Sequence, residues 1–164
     1  MKFNENLEAV LHRLGKGGAF LTVKNGERVN TMTIGWGLIG IQWQLPMFTV
    51  LVRPSRFTFG LIDTALDFTV SVPKNDNFSK ALTICGSKSG RDTDKFEVAG
   101  LVTKPSQKVA TPVIAGDLYN YECRITYKTP LNPTVIPNEI VRACYPINDF
   151  HTLYFGEIVS CYDS

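Results

Sequence analysis

The chain has 164 residues, a length that suits one domain with a hydrophobic core, and we expect residues 1–164 to form one. The net charge is only +2, and no basic run or aromatic-basic stripe is present, so we expect no nucleic-acid partner. Residues 1–8 lack the apolar core of a signal peptide, which predicts a cytoplasmic protein.

The first helix is predicted over residues 5–14, with Asn4 as its cap and Gly15 at its end. Its apolar stripe consists of four residues at helical spacing: Leu7, Val10, Leu11 and Leu14. His12 lies off this stripe, so we expect it at the surface.

A β-hairpin is predicted next. Residues 19–24 have the composition of a strand, and residues 27–35 of its returning partner. Asn25-Gly26, which lies between them, is a typical hairpin turn because both residues tolerate a positive φ angle.

Residues 31–52 contain no charged side chain, and a stretch of this length can span a bilayer. Two glutamines, Pro46 and three glycines interrupt it, whereas a membrane span needs a continuously hydrogen-bonded backbone. We therefore expect no membrane partner. The stretch is interpreted as the end of the hairpin, a glycine-rich crossing and a second strand over residues 46–52.

The residues after this strand have the chemistry of a phosphate site. Ser55 is a good N-cap for a short helix over residues 56–63, and the N-terminus of a helix attracts anions. Arg53 and Arg56 add positive charge, while Ser55 and Thr58 add hydroxyl donors. Together these groups suit a terminal phosphate.

The end of the hairpin complements the phosphate site. Small polar residues alternate there with larger apolar ones, a mixture that suits a flat aromatic ligand with polar edges. The residues are Asn30, Thr31, Met32, Thr33, Ile34 and Trp36. A slot for a planar ring beside a phosphate site suggests flavin mononucleotide (FMN). The alternative is a buried hairpin with a pair of surface arginines.

The middle of the chain is predicted to hold a strand over residues 67–72 and a helix from Asp76, its cap, to Thr83. The glycine-rich residues 85–96 lack the Lys-Ser/Thr of a nucleoside-triphosphate loop. They are either a solvated loop, with Asp92 capping a short helix that ends near Gly100, or a further contact for an anionic ligand.

Residues 118–127 alternate with period two, which predicts a half-buried strand. Three prolines then mark a long irregular connection of the kind that often carries function. The last strand is predicted over residues 152–161. His151 at its start is the only histidine placed to meet a ligand, although a surface position is the alternative.

The four cysteines are not in Cys-x-x-Cys pairs, and no histidine stands at ligand spacing from any of them. We therefore expect free thiols, mostly buried, and no metal site. Many short strands without an alternating strand–helix rhythm predict an antiparallel barrel with helices packed outside.

Four segments of the chain resemble the flavin reductase-like family, which has the FMN-binding split-barrel fold, and in particular its flavoredoxin branch. They are Asn-Thr-Met-Thr-Ile-Gly-Trp at 30–36, Val-Arg-Pro-Ser-Arg-Phe-Thr at 52–58, Ser-Gly-Arg-Asp-Thr-Asp-Lys-Phe at 89–96 with Ala-Gly-Leu at 99–101, and His-Thr-Leu-Tyr-Phe-Gly-Glu-Ile at 151–158. The resemblance implies a mainly β, antiparallel, Greek-key-like split barrel with peripheral helices.

The resemblance also implies noncovalent FMN at a homodimer interface. The residues implied for the ring and ribityl side are Asn30, Thr31, Met32, Thr33 and Trp36, and those for the phosphate are Arg53, Ser55, Arg56 and Thr58. Near the phosphate or the ring edge it places Ser89, Gly90, Arg91 and Lys95, and near the ring, from either subunit, His151 and Tyr154.

For function, the resemblance implies a flavin-dependent oxidoreductase in which NADH or NADPH reduces FMN, and a small molecule or a protein accepts the electrons. Lys95 or His151 is expected to add positive charge at the ring edge. The alternatives are a non-enzymatic FMN electron carrier that a partner protein reduces, and a flavin-binding scaffold without a redox role. Residues 131–138 resemble the family least, which leaves the acceptor open.

Overall fold

Seven strands form one antiparallel sheet in the computed structural model, which describes residues 2–163. Among these residues the strands are β1 (Ala19–Asn25), β2 (Arg28–Ile34), β3 (Gly37–Gln42), β4 (Leu45–Val52), β5 (Asp67–Pro73), β6 (Thr103–Lys104), β7 (Val113–Ile114), β8 (Leu118–Pro130) and β9 (Thr152–Asp163). The helices are α1 (Leu7–Lys16), α2 (Phe57–Ile62), α3 (Ser79–Ser87), α4 (Lys95–Ala99) and α5 (Asn138–Cys144). The strand order is β2-β1-β5-β8-β9-β4-β3, and β6 pairs with β7 separately.

A two-residue connection shows that this sheet is rolled up. β2 and β3 occupy opposite ends of the strand order, yet only Gly35 and Trp36 connect them. Three Cα–Cα steps span at most about 11 Å. A flat sheet of this strand number would separate its outer strands by about 29 Å. The sheet therefore curls until its two edges meet, which confirms the predicted antiparallel barrel.

The interior of the barrel is filled by large apolar side chains from several strands. Phe48 packs edge-to-face on Tyr121, with 5.4 Å between the ring centroids. Gly156 in β9 lies against Phe68, and a Cβ atom at this position would be 2.5 Å from Phe68 Cζ and 2.7 Å from Cys123 Cβ. The core therefore needs a residue without a side chain at position 156.

The β1–β2 hairpin is confirmed, but its two-residue turn is Gly26-Glu27 rather than Asn25-Gly26, because Asn25 pairs with Arg28; Gly26 has φ 58°. A second hairpin, β3–β4, was missed, because residues 35–45 were predicted as a crossing. Its turn is Trp43-Gln44, with φ angles of 53° and 62°. Residues of these types rarely adopt the left-handed conformation, so the local sequence carries no hairpin signal.

The helices α1, α3 and α4 differ from the prediction in their caps. Asn4 does not cap α1, which begins at Leu7 and continues past Gly15. The side chain of Asn75, not that of Asp76, caps the turn of 3₁₀ helix that precedes α3. Asp94, not Asp92, caps α4, because the Asp94 carboxylate accepts hydrogen bonds from Phe96 N and Glu97 N. These differences are shifts along the chain and do not change the fold.

The proline-rich connection also differs from the prediction, since it contains a 3₁₀ turn (Pro133–Val135) and helix α5. No residue of α5 is buried, which explains why it lacks the apolar stripe by which helices are recognised. All four cysteines are free, but only Cys85 and Cys123 are buried. Within residues 2–163, no helix is long and apolar enough to cross a membrane.

Candidate functional site

A cleft of about 450 Å³ opens beside the connection that closes the barrel. Its volume lies in the range of small-molecule sites. The lining side chains come from the end of β2, from β4 and the segment that follows it, and from the segment before β9. They are Met32, Thr33, Ile34, Gly35, Trp36, Leu51, Arg53, Ser55, Arg56, Ile147, Asp149 and His151.

A smaller hollow of about 80 Å³ adjoins this cleft and shares Met32, Ser55 and Arg56 with it. Its lining contains two arginines, two lysines and four hydroxyl groups, and no carboxylate. The lining residues are Met32, Ser55, Arg56, Phe57, Thr58, Ser87, Lys88, Ser89, Arg91 and Lys95. This concentration of cationic and hydroxyl donors suits a phosphate group, and we call this cavity the phosphate hollow.

The C-terminal end of α3 holds two of these cations in place. Arg56 Nη2 donates to the carbonyl of Gly86 at 2.6 Å, and Lys95 Nζ donates to that of Cys85 at 3.0 Å. Carbonyl groups at the end of a helix have no partners within the helix, so they accept these bonds readily. Burial, with a smaller contribution from Arg56, lowers the pKa of Lys95 to about 8. An anion in the hollow would oppose this shift.

A buried hydrogen bond supports the hollow from behind. Asn30 Nδ2 donates to Thr58 Oγ1 at 2.8 Å. Gly90 packs directly on both Asn30 and Phe57, and a Cβ atom there would lie 2.5 Å from Phe57 Cδ1. Residues 89–91 therefore approach β2 closely only because position 90 has no side chain.

The other two predicted phosphate ligands, Arg53 and Ser55, form hydrogen bonds with the segment that precedes β9. Arg53 Nη2 donates to the carbonyl of Cys144 at 2.9 Å, and its guanidinium lies 5.1 Å from the Tyr145 ring centroid. Ser55 donates from its hydroxyl to Asp149 Oδ2 and from its N–H to Asp149 Oδ1. Ser55 therefore does not cap α2, which begins at Phe57 rather than at Arg56.

The Asp149 carboxylate places a negative charge at this end of the cleft. Since the phosphate hollow has only cationic and neutral groups in its lining, it is the better site for an anion. α2 has only six residues, so the positive charge of the hollow comes mainly from side chains.

His151 lies at the wall of the cleft within an aromatic cluster. Its Nδ1 is 2.9 Å from the Tyr145 hydroxyl, and its ring centroid is 5.1 Å from that of Trp36. Burial, assisted by Arg53, lowers the pKa of His151 to about 4. The positive charge expected of His151 is therefore absent at pH 7, and at this end of the cleft Arg53 carries it.

The depressed pKa of His151 predicts a pH dependence of stability. Its pKa is about 4 in the folded chain against an ordinary 6.5, so the unfolded chain binds the proton first as the pH falls. The free energy of unfolding is expected to decrease from pH 6.5 towards pH 4. Urea titrations across this range should show a smaller decrease for His151→Gln than for the parent. His12→Gln, a replacement at an exposed position of α1, should show the same decrease as the parent. Equal decreases in the free energy of unfolding for the parent and His151→Gln would contradict this prediction.

Four of the predicted site residues line neither the cleft nor the phosphate hollow: Asn30 and Gly90, which support the hollow from behind, and Thr31 and Tyr154. Thr31 is fully buried, and its hydroxyl donates to the carbonyl of Leu21 at 3.3 Å. It lies on the face of β2 opposite to Met32, as alternation along a strand requires. Tyr154 is also buried, and its hydroxyl donates to Asp63 Oδ1 at 3.1 Å.

The remaining predicted residues lie around the cleft and the phosphate hollow. The structure adds seven lining residues that were not predicted: Gly35, Leu51, Phe57, Ser87, Lys88, Ile147 and Asp149. Ser87 and Lys88 belong to the glycine-rich loop whose contact with an anion was one of two interpretations. Asp149 follows a helix that the sequence did not indicate, and no local signal marks it.

Comparison with known proteins connects the chain to one family. The family model described as "Flavin reductase like domain" matches residues 11–164. An uncharacterized protein of Archaeoglobus fulgidus is 28% identical over 140 residues, which cover 85% of this chain and 68% of that protein.

Solved structures have the same fold. An FMN-binding protein from Thermus thermophilus, with bound 1-cyclohex-2-enone, has a TM-score of 0.67 and 25% identity, over 89% of this chain and 69% of its own. Flavoredoxin from Methanosarcina acetivorans has a TM-score of 0.71 and 22% identity, over 90% and 68%. An NADH:FAD oxidoreductase from Streptomyces globisporus, in complex with NAD and FAD fragments, has a TM-score of 0.68 and 20% identity, over 90% and 74%.

Proposed function

The chain belongs to the flavin reductase like domain family, and we propose that it is an oxidoreductase with noncovalently bound FMN. The observation that carries the proposal is the junction of the cleft with the cationic phosphate hollow. A planar ring and a terminal phosphate, joined by a short polar chain, need these two compartments side by side.

The lining residues fit the parts of FMN. Trp36 and Met32 offer apolar surface for the ring. Thr33, whose hydroxyl donates to the carbonyl of Leu82 at 2.6 Å, offers a hydrogen-bond acceptor. In the hollow, Arg56 and Arg91 balance the phosphate charge, and the predicted Thr58 and Ser89 hydroxyls can donate hydrogen bonds to it. The hydroxyls of Ser55 and Ser87 also line the hollow, but they donate to Asp149 Oδ2 and to the carbonyl of Thr83. Thr31 and Tyr154 act from behind, by fixing the strands that present the site.

Bound FMN would supply the redox chemistry, in which a hydride is accepted and electrons are passed on. The chain's own residues bind the flavin and stabilise the charge it gains. Arg53 provides a fixed positive charge at the ring end of the cleft. β2 pairs with a strand on one side only, so alternate N–H groups along residues 31–34 face its other edge. Such fixed donors stabilise a developing anion because they need no reorganisation.

The electron donor that we propose is NADH or NADPH, and the acceptor is a small molecule or a protein. The second candidate is an electron carrier that a partner protein reduces. It is favoured by the exposed Ile147 and Trp36 at the rim of the cleft, since exposed apolar groups beside a cofactor suit protein docking. The relatives include both an NADH:FAD oxidoreductase and flavoredoxins.

A visible absorption spectrum distinguishes these functions. The protein is loaded with FMN, separated from free flavin, and treated with NADH or NADPH without oxygen. Bleaching of the flavin bands within seconds supports the reductase. Bands that persist until dithionite is added support the carrier, and flavin that cannot be reduced on the protein leaves only a scaffold. A protein that takes up no FMN contradicts the whole proposal.

We also propose a homodimer with the flavin near the interface. β3 is the last strand of the sheet order, and exposed apolar side chains lie on it and beside it: Leu38, Ile41, Trp43 and Tyr127. An apolar groove that includes Leu38 and Trp36 connects this patch to the cleft. An exposed apolar edge strand of this kind is usually covered by another chain.

The dimer predicts the behaviour of a charged variant. Ile41→Asp is expected to shift the protein from dimer to monomer in sedimentation velocity, because the carboxylate would be desolvated in the interface. Val102→Asp, at an exposed apolar residue outside the patch, should leave the dimer intact. A parent protein that is monomeric at micromolar concentration would contradict the prediction.

A further inference from the structure

The imidazole ring of His151 has one engaged nitrogen and one accessible nitrogen. The ring is only 9% exposed at the wall of the cleft, and its Nδ1 lies 2.9 Å from the Tyr145 hydroxyl. Within residues 2–163, Tyr121 Oη is the only fully buried side-chain nitrogen or oxygen that lacks a hydrogen-bond partner. His151 Nε2 also makes no hydrogen bond to the described residues, so it is not fully buried. Because the ring lines the cleft, the accessible Nε2 faces it.

The direction of the hydrogen bond between Tyr145 and His151 follows from the surroundings of the hydroxyl. Tyr145 is only 4% exposed, and within the described chain its hydroxyl bonds to His151 Nδ1 alone. Burial raises the pKa of Tyr145, so the hydroxyl keeps its proton at pH 7. If Nδ1 carried a hydrogen, the buried O–H would have no acceptor, which is costly. The Tyr145 hydroxyl therefore donates to Nδ1.

This direction decides where His151 carries its hydrogen. Burial, assisted by Arg53, lowers the pKa of His151 to about 4, so the ring is neutral at pH 7. A neutral imidazole carries one hydrogen, and the bond made by one nitrogen decides which nitrogen holds it. Since Nδ1 is an acceptor, the hydrogen is on Nε2. The cleft is thus lined by an uncharged N–H donor.

We propose that Tyr145, which does not itself line the cleft, is a positioning residue: its hydroxyl fixes the tautomer of His151, so that Nε2–H donates a hydrogen bond to a carbonyl oxygen of the bound ligand. The inference rests on the proposed function, because the ligand is the flavin or the nucleotide that reduces it. A donor that is fixed before the ligand arrives stabilises negative charge on such an oxygen without reorganisation.

The contacts of the Tyr145 ring are independent of its hydroxyl. The ring stacks on Phe150 with 4.7 Å between centroids, and Trp36 lies edge-on to it at 6.4 Å. The Arg53 guanidinium lies 5.1 Å from its centroid. Tyr145→Phe keeps all three contacts and removes only the donor to His151, so it separates positioning from packing.

Two ligands of the proposed function carry a suitable carbonyl oxygen. One is the flavin, through its pyrimidine ring, and the other is NADH or NADPH, through the carboxamide of its nicotinamide. Loss of the bond to the flavin lowers the affinity for FMN, whereas loss of the bond to the nucleotide raises its KM. The two sources therefore have different signatures.

The first experiment is NMR of the histidine nitrogens in the apoprotein, because their chemical shifts show which nitrogen carries the hydrogen. The parent is expected to hold His151 with the hydrogen on Nε2, and Tyr145→Phe to raise the fraction with the hydrogen on Nδ1. His12, the other histidine, is exposed on α1 and serves as an internal reference. Tyr162→Phe removes a hydroxyl that donates to Glu122 at 2.8 Å and should leave the His151 signals unchanged.

The second experiment measures FMN affinity and the KM for NADH. Tyr145→Phe is expected to weaken one of the two by about two- to tenfold, the contribution of one uncharged hydrogen bond. In His151→Gln the side-chain amide carries its N–H whatever its neighbours are. Adding Tyr145→Phe to that variant should therefore change neither quantity.

A parent spectrum with the hydrogen on Nδ1, or His151 signals that Tyr145→Phe leaves unchanged, would overturn the inference while the proposed function stood. Unchanged FMN affinity and KM in Tyr145→Phe would also overturn it. So would an equal loss with and without His151→Gln, since Tyr145 would then act through packing. If the parent binds no FMN, the proposed function fails and the inference fails with it.

Discussion

Arg56→Ala is expected to bind FMN roughly 10- to 100-fold more weakly than the parent, the largest effect of a single replacement on binding. Charged hydrogen bonds contribute about 1.5–3 kcal/mol each, and about 1.4 kcal/mol corresponds to a tenfold change in affinity. Arg56 lies where the cleft and the phosphate hollow join, and its bond to the carbonyl of Gly86 fixes its guanidinium there. Titration of the apoprotein with FMN measures the loss.

Two controls separate the charge of Arg56 from its packing. Arg56→Lys keeps the charge and should recover much of the affinity, although a lysine cannot make two parallel hydrogen bonds. Arg124→Ala removes a cation of the same type from the exposed face of β8, where it pairs with Glu157, and should bind FMN as the parent does. If Arg56→Ala bound FMN within twofold of the parent, the hollow would not be the phosphate site.

Gly156→Ala is expected to lower the free energy of unfolding by about 1–3 kcal/mol, because an added methyl group overfills a packed core. The new Cβ atom would lie 2.5 Å from Phe68 Cζ and 2.7 Å from Cys123 Cβ, and both neighbours are fully buried in the barrel. For a chain of this length, each kcal/mol lowers the melting temperature by about 2–4 °C. Chemical and thermal denaturation measure both quantities.

Gly40→Ala is the matched control, since Gly40 is also a strand glycine but no atom lies within 4 Å of the added Cβ. It should be neutral or slightly stabilising, because alanine restricts the unfolded chain more than glycine does. Equal melting temperatures for Gly156→Ala and the parent would show that the Phe68 ring can shift, and that the packing around Gly156 is looser than its geometry indicates.

Features that depend on a few neighbouring residues could be predicted from the sequence. Asn25-Gly26 marks a hairpin whatever surrounds it, and the period-two alternation of residues 118–127 marks the strand β8. Residues 52–58 were interpreted as a phosphate site because the arginines and hydroxyls stand close together in the chain. Arg56 and Thr58 do line the hollow, and phosphate binding there stays a prediction. The resemblance to the flavin reductase-like family, which rested on four such segments, is confirmed by the family model.

Features that depend on distant partners could not be predicted. Ser55 was assigned to helix capping and phosphate binding, but its donors are taken by Asp149, a partner 94 residues away. Thr31 was assigned to the ring because it stands next to Met32, and only the pairing of β2 with β1 decides which face it occupies. α5 has no buried face, so no periodic pattern marked it. In each case the deciding contact is tertiary.

The two-residue connection between β2 and β3 has a consequence for how ligand and fold depend on each other. The cleft takes Met32 and Thr33 from one edge of the rolled sheet and Leu51 from β4 near the other, so a ligand there touches both sides of the seam. Such a ligand holds the two edges of the sheet together through noncovalent contacts. Its binding free energy adds to that of seam closure, because opening the seam releases it. Amide hydrogens along β2 and β3 would then exchange with solvent more slowly in the flavin-bound protein, while those of β5 and β8, which lie mid-sheet, would change less.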